Sequence, residues 1–581
     1  MLSTLTLLPL LLPTLNCTPQ DGFDGNPLKR PAQVEIHWNR LYDYDELYAH
    51  FDAIQAAWPD LVSVEVIGHS IQGRELRVYT INNPATGAHS DKPAMWIDAN
   101  VHGNEVQGGE AVLYFAWYLM ENYGSNERIT ELVDRSSFYL LPMVNPDGRY
   151  NWFNEAHTPH SSRTGYKPTD NDRDGFFDED DNDDLNGDGH ITMMRKYLPG
   201  EGTHRQDPED SRILERVPTN DKGLRGDWVM LGYEGIDNDG DGRVNEDGEG
   251  GYDMNRSWPA MWRPGHTQRG AGPYPLCWPE ARCIANFLYD HDNVAAVQSF
   301  HNAGGMILRG PGGEEFGSYA RSDLRAFDRL GKDGERMLPF YNYMVIWKDL
   351  YSVYGGFATW TYEGLGIISF TNELWTRARE FPDVEGRASQ ADSMFFNDNL
   401  LSGGGFIDWQ AANHPVYGEI EIGGYRKDVG RVPPTFLIEE MVHRNALFCI
   451  KHAEAMPEVE IESVQVLEMK GDVLAVDVIF RNTRTIPTRT GHAANELIGA
   501  PDVFTLSGDG VEVLSSGIRQ DRWNPERITL TEHNPAEIQS ESGIEGLSMK
   551  RVRWFVRGSG EVHVSWTGEK GINVSTTIEL P

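Results

Sequence analysis

Cysteine is nearly absent from this chain: Cys17, Cys277, Cys283 and Cys449 are the four thiols in 581 residues. So sparse a set excludes a disulfide scaffold, and no pair has zinc-finger spacing. Cys277 and Cys283 are near enough in sequence to bridge in an oxidising compartment, or equally to sit as buried thiols. Basic residues are short as well. Lys and Arg number 51 against 88 Asp and Glu, a formal net charge of −37. That deficit argues against nucleic acid or an anionic membrane surface as the main partner, and for cation binding somewhere, because the carboxylates otherwise repel one another. Also missing is any apolar run of bilayer-spanning length. The nearest candidate is the N-terminal stretch, where Pro9 and Pro13 interrupt the leucines and no Lys or Arg precedes them. It reads as a secretory signal over residues 1–19, which places the protein in the periplasm, outside the cell, or lipid-anchored at its surface. Cys17 is positioned for lipidation, but Thr14, Leu15 and Asn16 lack the small residues such a cleavage site requires.

What is present divides into parts, as expected for a chain too long for one ordinary domain. Residues 20–34 are rich in Pro, Gly and Asp and read as a linker. Asp43 and Glu46 have capping-box spacing, and Leu47, Phe51, Ile54 and Trp58 follow at helical intervals. Strand-like runs at Val62–Val66, Leu76–Ile81, Ala94–Ala99 and Phe138–Val144 alternate with an apolar helix over about 108–121. Asn145-Pro-Asp-Gly148 ends the last of these as a turn signal. The alternation resumes with a helix near Pro279–Tyr289, strands at Val294–Phe300 and Gly366–Leu374, and a closing helix over Thr435–Ala455. Strands apolar throughout, alternating with helices, predict an α/β domain over 35–456 with a mixed, mostly parallel twisted sheet flanked by helices. Beyond Pro457 no helical period stands out. Runs such as Val473–Phe480, Arg551–Val556 and Glu561–Trp566 predict a β-sandwich over 457–581, the last two joined as a hairpin through Arg557-Gly-Ser-Gly560. No partner for this region is named by its sequence.

An acidic insertion over about 165–250 interrupts the first domain. Asp170, Asp172, Asp174 and Asp178 open it, Asp184, Asn186 and Asp188 follow, and Asp237, Asp239 and Asp241 repeat the spacing. Oxygen ligands at positions one, three and five, followed by Gly, suit Ca²⁺, although the Glu at position twelve of an EF-hand is missing. The alternative is a solvated acidic run.

The chemistry-bearing residues lie at or near strand ends, where open α/β sheets gather ligands. His102 and Glu105 are three apart, a spacing expected about three times by chance among 18 His and 88 acidic residues. With His301 after a later strand they form a His₂Glu set that leaves one position of a Zn²⁺ open. Glu373 is a carboxylate within an apolar strand, and Arg256 a fixed cation in Asp253-Met-Asn255-Arg256. They read either as a buried ion pair or as site groups.

Taken in order, His102-x-x-Glu105, Asn145-Pro-Asp-Gly148, Asp253-x-Asn255-Arg256, His301 after a strand, Tyr351 and Phe370-Thr-x-Glu373-Leu resemble the zinc metallocarboxypeptidases of the carboxypeptidase A type, over about residues 35–455. The resemblance implies one Zn²⁺ on His102, Glu105 and His301, and Glu373 as general base. It implies Asn255 and Arg256 on the terminal carboxylate of a peptide substrate, Asp253 orienting His102, and Tyr351 rather than Tyr354 covering the substrate. Ala358 would face the side-chain pocket. The arginine that polarises the scissile carbonyl follows Asn-Pro-Asp-Gly in that family; the insertion occupies that region here, and Arg195 best fits the context, with Arg163 next. Two rival readings share these residues. One is a zinc amidase or deacylase acting on cell-wall peptides or acylated amino acids. The other is a calcium-dependent binding protein without catalysis.

Overall fold

The computed structural model describes residues 31–581 except 161–167, 169, 172, 219–223, 249–250, 385, 521–523 and 525–526. The expected leader over 1–19, Cys17, most of the linker, Asp172 and Arg163 lie outside the described residues.

The first helix, α1 (Tyr44–Ala57), begins with the capping box read from its sequence: Asp43 accepts from the Glu46 N–H, and Glu46 reaches back to the Asp43 N–H. Leu47, Tyr48, Phe51 and Ile54 form its buried stripe. Strands β1 (Val62–His69) and β2 (Glu75–Ile81) form an antiparallel pair, followed by the fully buried β3 (Ala94–Ala99). Helices α2 (Gln107–Asn122) and α3 (Glu127–Arg135) then lead to β4 (Ser137–Leu141). Every residue of α2 is buried, as a helix apolar all round requires.

Asn145-Pro-Asp-Gly148 is not a plain turn. It opens α4 (Pro146–Asn154), with the Asn145 side chain accepting from the Gly148 N–H. Asn caps and Pro at the first helical position both start helices well, which is why one tetrapeptide serves either outcome.

The eight-stranded sheet runs β1-β2-β4-β3, then the His301 strand (Val294–Asn302), the Glu373 strand (Ile368–Leu374), Met306–Arg309 and Asn342–Val345. The four central strands, β4 through the Glu373 strand, are parallel. The sheet is therefore mixed and flanked by helices, as its patterning predicts. Apolar clusters cover both faces, one containing α1, α2 and the helix Ile438–Ala453, the other containing Trp258, Trp278 and Trp360.

A fully buried ion pair fixes the turn between β3 and α2. Arg149 Nη2 lies 2.6 Å from Glu110 Oε1, both side chains sealed from solvent. The same guanidinium donates to the carbonyls of Tyr42 and Val106 and to Asn100 Oδ1. Gly109 lies close against it, where a Cβ would come within 2.8 Å of Arg149 Nη1.

The acidic region is more than a loop excursion. Strands Met193–Gly202, His204–Gln206, Leu214–Arg216 and Gly226–Tyr233 join Phe406–His414 and Gly418–Tyr425 in a second, six-stranded sheet. Two distant stretches of chain build it, so no local pattern announces it.

The C-terminal region is all-β apart from one short helix, Gly491–Glu496. A five-stranded and a four-stranded sheet enclose Phe480, Phe504, Trp554 and Trp566. The expected hairpin through Arg557–Gly560 is not formed. Ser548–Gly558 belongs to one sheet and Gly560–Thr567 to the other, so their buried faces meet across the core instead of pairing edge to edge. Ile486 packs into the cluster of the eight-stranded sheet. Asp323, from the helix Arg321–Met337, accepts from the N–H groups of Gly491 and His492. Cys277, Cys283 and Cys449 are free thiols.

Replacing Arg149 with Met strands Glu110 as an uncompensated buried carboxylate. The expected cost is about 3–5 kcal/mol of unfolding free energy, measured by chemical denaturation. A change below 1 kcal/mol would contradict this account of the pair.

Candidate active site

The backbone brings the expected ligands to one end of the sheet. After β3, Asn100 adopts a φ of 61° and its amide donates to the carbonyls of His102 (2.7 Å) and Gly103 (3.2 Å). This closes a tight turn that carries His102 and Glu105 into α2. Parallel register sets Ala99 opposite Phe300, so His301 emerges one residue later at the same end. Glu373 is the register partner of His301 on the next strand.

His102 Nδ1 lies 3.0 Å from Glu105 Oε1, and His301 Nδ1 lies 3.0 Å from Glu105 Oε2. All three residues are buried, each about 2% exposed. One ligand atom from each lies within 4.8 Å of the others. Asp253 Oδ1 sits 3.0 Å from His102 Nε2. If that contact holds the proton on Nε2, Nδ1 presents a lone pair to a carboxylate, and the buried Nδ1 makes no hydrogen bond. A lone pair facing a carboxylate in a dry site calls for a cation between them.

Electrostatics agrees. Burial opposes protonation of His102, but Glu105 and Asp253 outweigh it and raise its pKa. Burial likewise opposes ionisation of Glu105, yet His102 and His301 hold its pKa well below the ordinary range. Two imidazole nitrogens and a carboxylate are the donor set of a catalytic zinc site with an open position, and these three residues fit such an ion.

A cavity of about 300 Å³ opens over this group, with His102, His301, Glu373, Asn255, Arg256 and Arg431 on its walls. Asn255 Oδ1 accepts from the Phe357 N–H at 2.8 Å, and its Nδ2 lies 3.4 Å from His301 Nε2. Arg256 Nη1 donates to the Asn255 carbonyl at 2.8 Å, with Asp253 Oδ2 at 3.7 Å. The far wall is apolar: Met306, Leu308, Ile346, Val353 and Ala358, with Thr359 and Thr371. Tyr351 also lines the cavity and is 56% exposed. Tyr354 is not on its walls; its ring lies under the Arg263 guanidinium.

Arg195 does not reach the cavity. Its guanidinium is sandwiched between the rings of Trp228 and Trp409, at 4.2 and 4.1 Å, and paired with Glu421 at 2.7 Å. It is a cross-strand anchor of the six-stranded sheet, because the strand holding it was drawn into that sheet. Among the described residues, Arg431 does line the cavity near the expected ligands, and its Nη2 lies 3.2 Å from Glu105 Oε1. Asp428-Val-Gly-Arg431-Val has no motif character, and only the fold reveals it. Arg149, by contrast, directly follows the Asn-Pro-Asp-Gly signal.

In the acidic region one loop occurs twice. Asp184 accepts from the N–H groups of Gly187, Asp188 and Gly189, and Asp237 from those of Gly240 and Gly242. Their glycines take positive φ, from 70° at Gly187 to 95° at Gly242. Asn186 Oδ1 accepts from the Asp188 N–H within the first loop. Carboxylate oxygens of Asp237, Asp239 and Asp241 lie within 4.8 Å of one another, as do those of Asp180, Asp239 and Glu246. Among the described residues, Asp170, Asp174, Asp178, Asp184 and Asp188 belong to no such acidic group.

A profile described as zinc carboxypeptidase matches residues 47–202 and 232–395, and residues 458–579 match a family known only as a domain of unknown function. Carboxypeptidase D of Drosophila melanogaster is 36% identical over 124 residues, which is 21% of this chain and 8% of that protein. An inactive metallocarboxypeptidase of Saccharomyces cerevisiae is 29% identical over 119 residues, 20% of this chain and 28% of that protein. The crystal structure of thrombin activatable fibrinolysis inhibitor aligns at a TM-score of 0.43 and 17% identity, over 72% of this chain and 74% of that one. The chain thus matches well under two thirds of the curated relatives' length.

Asp253 supports His102 from behind, so Asp253→Ala is expected to weaken zinc affinity about 10- to 100-fold, as losing such a partner does at other sites. Chelator competition measures this. Unchanged affinity would remove Asp253 from the support of the site.

Proposed function

The chain belongs to the zinc carboxypeptidase family, and on that premise we propose that it is an exported, zinc-dependent exopeptidase removing C-terminal residues from peptides. One observation carries the reading. A single cavity gathers His102 and His301, the carboxylate of Glu373, and the pair Asn255–Arg256 on its walls.

When bound, zinc supplies the Lewis acidity that makes a water nucleophilic near neutral pH. His102, Glu105 and His301 would hold it, with Asp253 fixing the His102 ring. Glu373 takes the proton from the attacking water and delivers it to the departing amine. The Arg256 guanidinium and the Asn255 amide bind the terminal carboxylate of the peptide, and the planar fork of Arg suits it as Lys would not. That clamp favours a free C-terminal carboxylate over an amidated, neutral terminus. Tyr351 at the rim covers the bound residue. Met306, Leu308, Ile346, Val353 and Ala358 make the side-chain wall apolar, so apolar C-terminal residues are preferred to basic or acidic ones. Export follows from the leader-like sequence over 1–19; no helix among the described residues is long and apolar enough to cross a membrane.

Calcium has a structural part in this reading. The paired loops at Asp184 and Asp237 order a region with few apolar residues, and Asp239 belongs to both acidic groups. Calcium at a hundredfold excess over its Kd would add about 2.7 kcal/mol to stability. We expect a raised melting temperature with calcium, and no such shift in Asp239→Asn. An unshifted wild-type protein would end the calcium assignment.

The activity is tested by mass spectrometry of a peptide library incubated with the protein, with and without a zinc chelator. Expected are chelator-sensitive losses of single, mainly apolar C-terminal residues, with C-terminally amidated peptides left intact. Glu373→Gln should retain zinc while kcat falls about 10²- to 10⁴-fold, the range of general-base contributions. If zinc-loaded protein cleaves nothing in the library, the exopeptidase reading fails, and acylated amino acids and cell-wall peptides become the substrates to examine.

A further inference from the structure

The reaction proposed above builds negative charge on the scissile carbonyl oxygen. The attacking water oxygen bonds to the carbonyl carbon, and the π pair moves to the carbonyl oxygen. As that pair returns, the C–N bond breaks, and the proton held by Glu373 goes to the amine. A fixed cation beside that oxygen lowers the barrier, because it acts on charge that exists only in the transition state. Resting on the exopeptidase reading, we propose that Arg431 is this catalytic residue, supplied by a segment outside the family match.

Among the described residues, three charged side chains line the cavity: Arg256, Glu373 and Arg431. Arg256 is held beside Asn255 and Asp253, with the pair assigned to the terminal carboxylate. Arg431 stands against Glu105 instead, Nη2 to Oε1 at 3.2 Å, with its side chain 16% exposed. The two cations therefore serve different parts of a substrate: its terminus, and the reacting bond beside the His102–Glu105–His301 group.

The placement of Arg431 is fixed from both sides of that group. Its carbonyl accepts from Asn302 Nδ2 at 2.9 Å and from Gln107 Nε2 at 3.4 Å. Asn302 directly follows His301, and Gln107 lies two residues past Glu105, so the segments bearing the ligands also hold the arginine. Val432 packs with Val106 and Trp152, and the Lys427 ammonium is bound by the carbonyls of Trp152 and Glu155. A guanidinium is charged at every working pH, and with its backbone anchored this way and its head against Glu105 it stands in place before charge develops. The family profile covers 47–202 and 232–395. Arg431 lies beyond it, on the loop following Gly418–Tyr425 of the six-stranded sheet. The accessory sheet thus finishes the active site.

The test compares wild type, Arg431→Ala, Arg431→Lys and Arg163→Ala, all zinc-loaded, on a peptide with a free apolar C-terminus. For Arg431→Ala, kcat and kcat/KM should fall together by about 10²- to 10³-fold, with KM within about threefold and zinc content still one per chain. Arg431→Lys should recover part of the loss, and added guanidinium ion should partly rescue the Ala variant. Calorimetry gives a readout apart from turnover. Affinity for a phosphonate peptide, a tetrahedral anion, should fall in parallel with kcat/KM, while affinity for the free amino-acid product is unchanged. The proposal is overturned if kcat stays within a few-fold of wild type or if KM alone rises. Loss of activity in step with lost zinc, or a transition-state defect in Arg163→Ala but not Arg431→Ala, overturns it equally. An inactive wild type would instead remove the exopeptidase reading, and this proposal with it.

Discussion

The structure depends on the buried pair of Arg149 and Glu110. Burying two charges is costly, and their attraction offsets that cost only when the remaining donors and lone pairs are satisfied. Here they are put to structural use. The Arg149 guanidinium binds the carbonyls of Tyr42 and Val106 as well as Asn100 Oδ1, and Glu110 also accepts from the Tyr42 N–H. Asn100 in turn closes the His102 turn. One charged pair therefore joins the approach to α1, the start of α2 and the start of α4, and the candidate metal ligands rest on that junction. Burial is strong enough to raise the Glu110 pKa despite the arginine beside it, so the pair is better understood as fixing one geometry than as adding stability.

Much of this was legible in the sequence where local chemistry and final structure agree. The capping box at Asp43, the apolar strand Ala94–Ala99 and the apolar helix after it are the same in both. The His102–Glu105 spacing carries its geometry within four residues, and His301 follows from parallel register once the strands are placed. Reading failed where partners are remote. Arg195 reads as a site residue because its local sequence best fits the family's context, yet two tryptophans and a glutamate from other segments take it. The Arg557–Gly560 turn had hairpin composition, but the need to bury Trp554 and Trp566 in one core sent its two strands to different sheets. Arg431 had no local signal at all.

The six-stranded sheet ties these failures together. It draws strands from residues 193–233 and 406–425, and neither stretch can form it alone. Arg195 is spent holding this sheet together, and the loop beyond the sheet brings Arg431 to Glu105. What reads as an acidic interruption of an α/β domain is one part of a sheet, completed some two hundred residues later, whose following loop brings Arg431 to the cavity.

Ile486 and Lys570 bear on the order in which the protein is made. Ile486 fills the core of the eight-stranded sheet, and the buried Lys570 ammonium donates to the carbonyl of Val294, at the base of the strand that carries His301. The sheet's interior is thus completed by residues that leave the ribosome long after its strands do. At roughly 5–20 residues per second, the chain between His301 and Lys570 takes tens of seconds to synthesise. For most of that time the nascent protein holds the candidate zinc ligands and Glu373 without all the residues that seal the sheet beneath them. The C-terminal region therefore sets when the protein becomes a finished molecule.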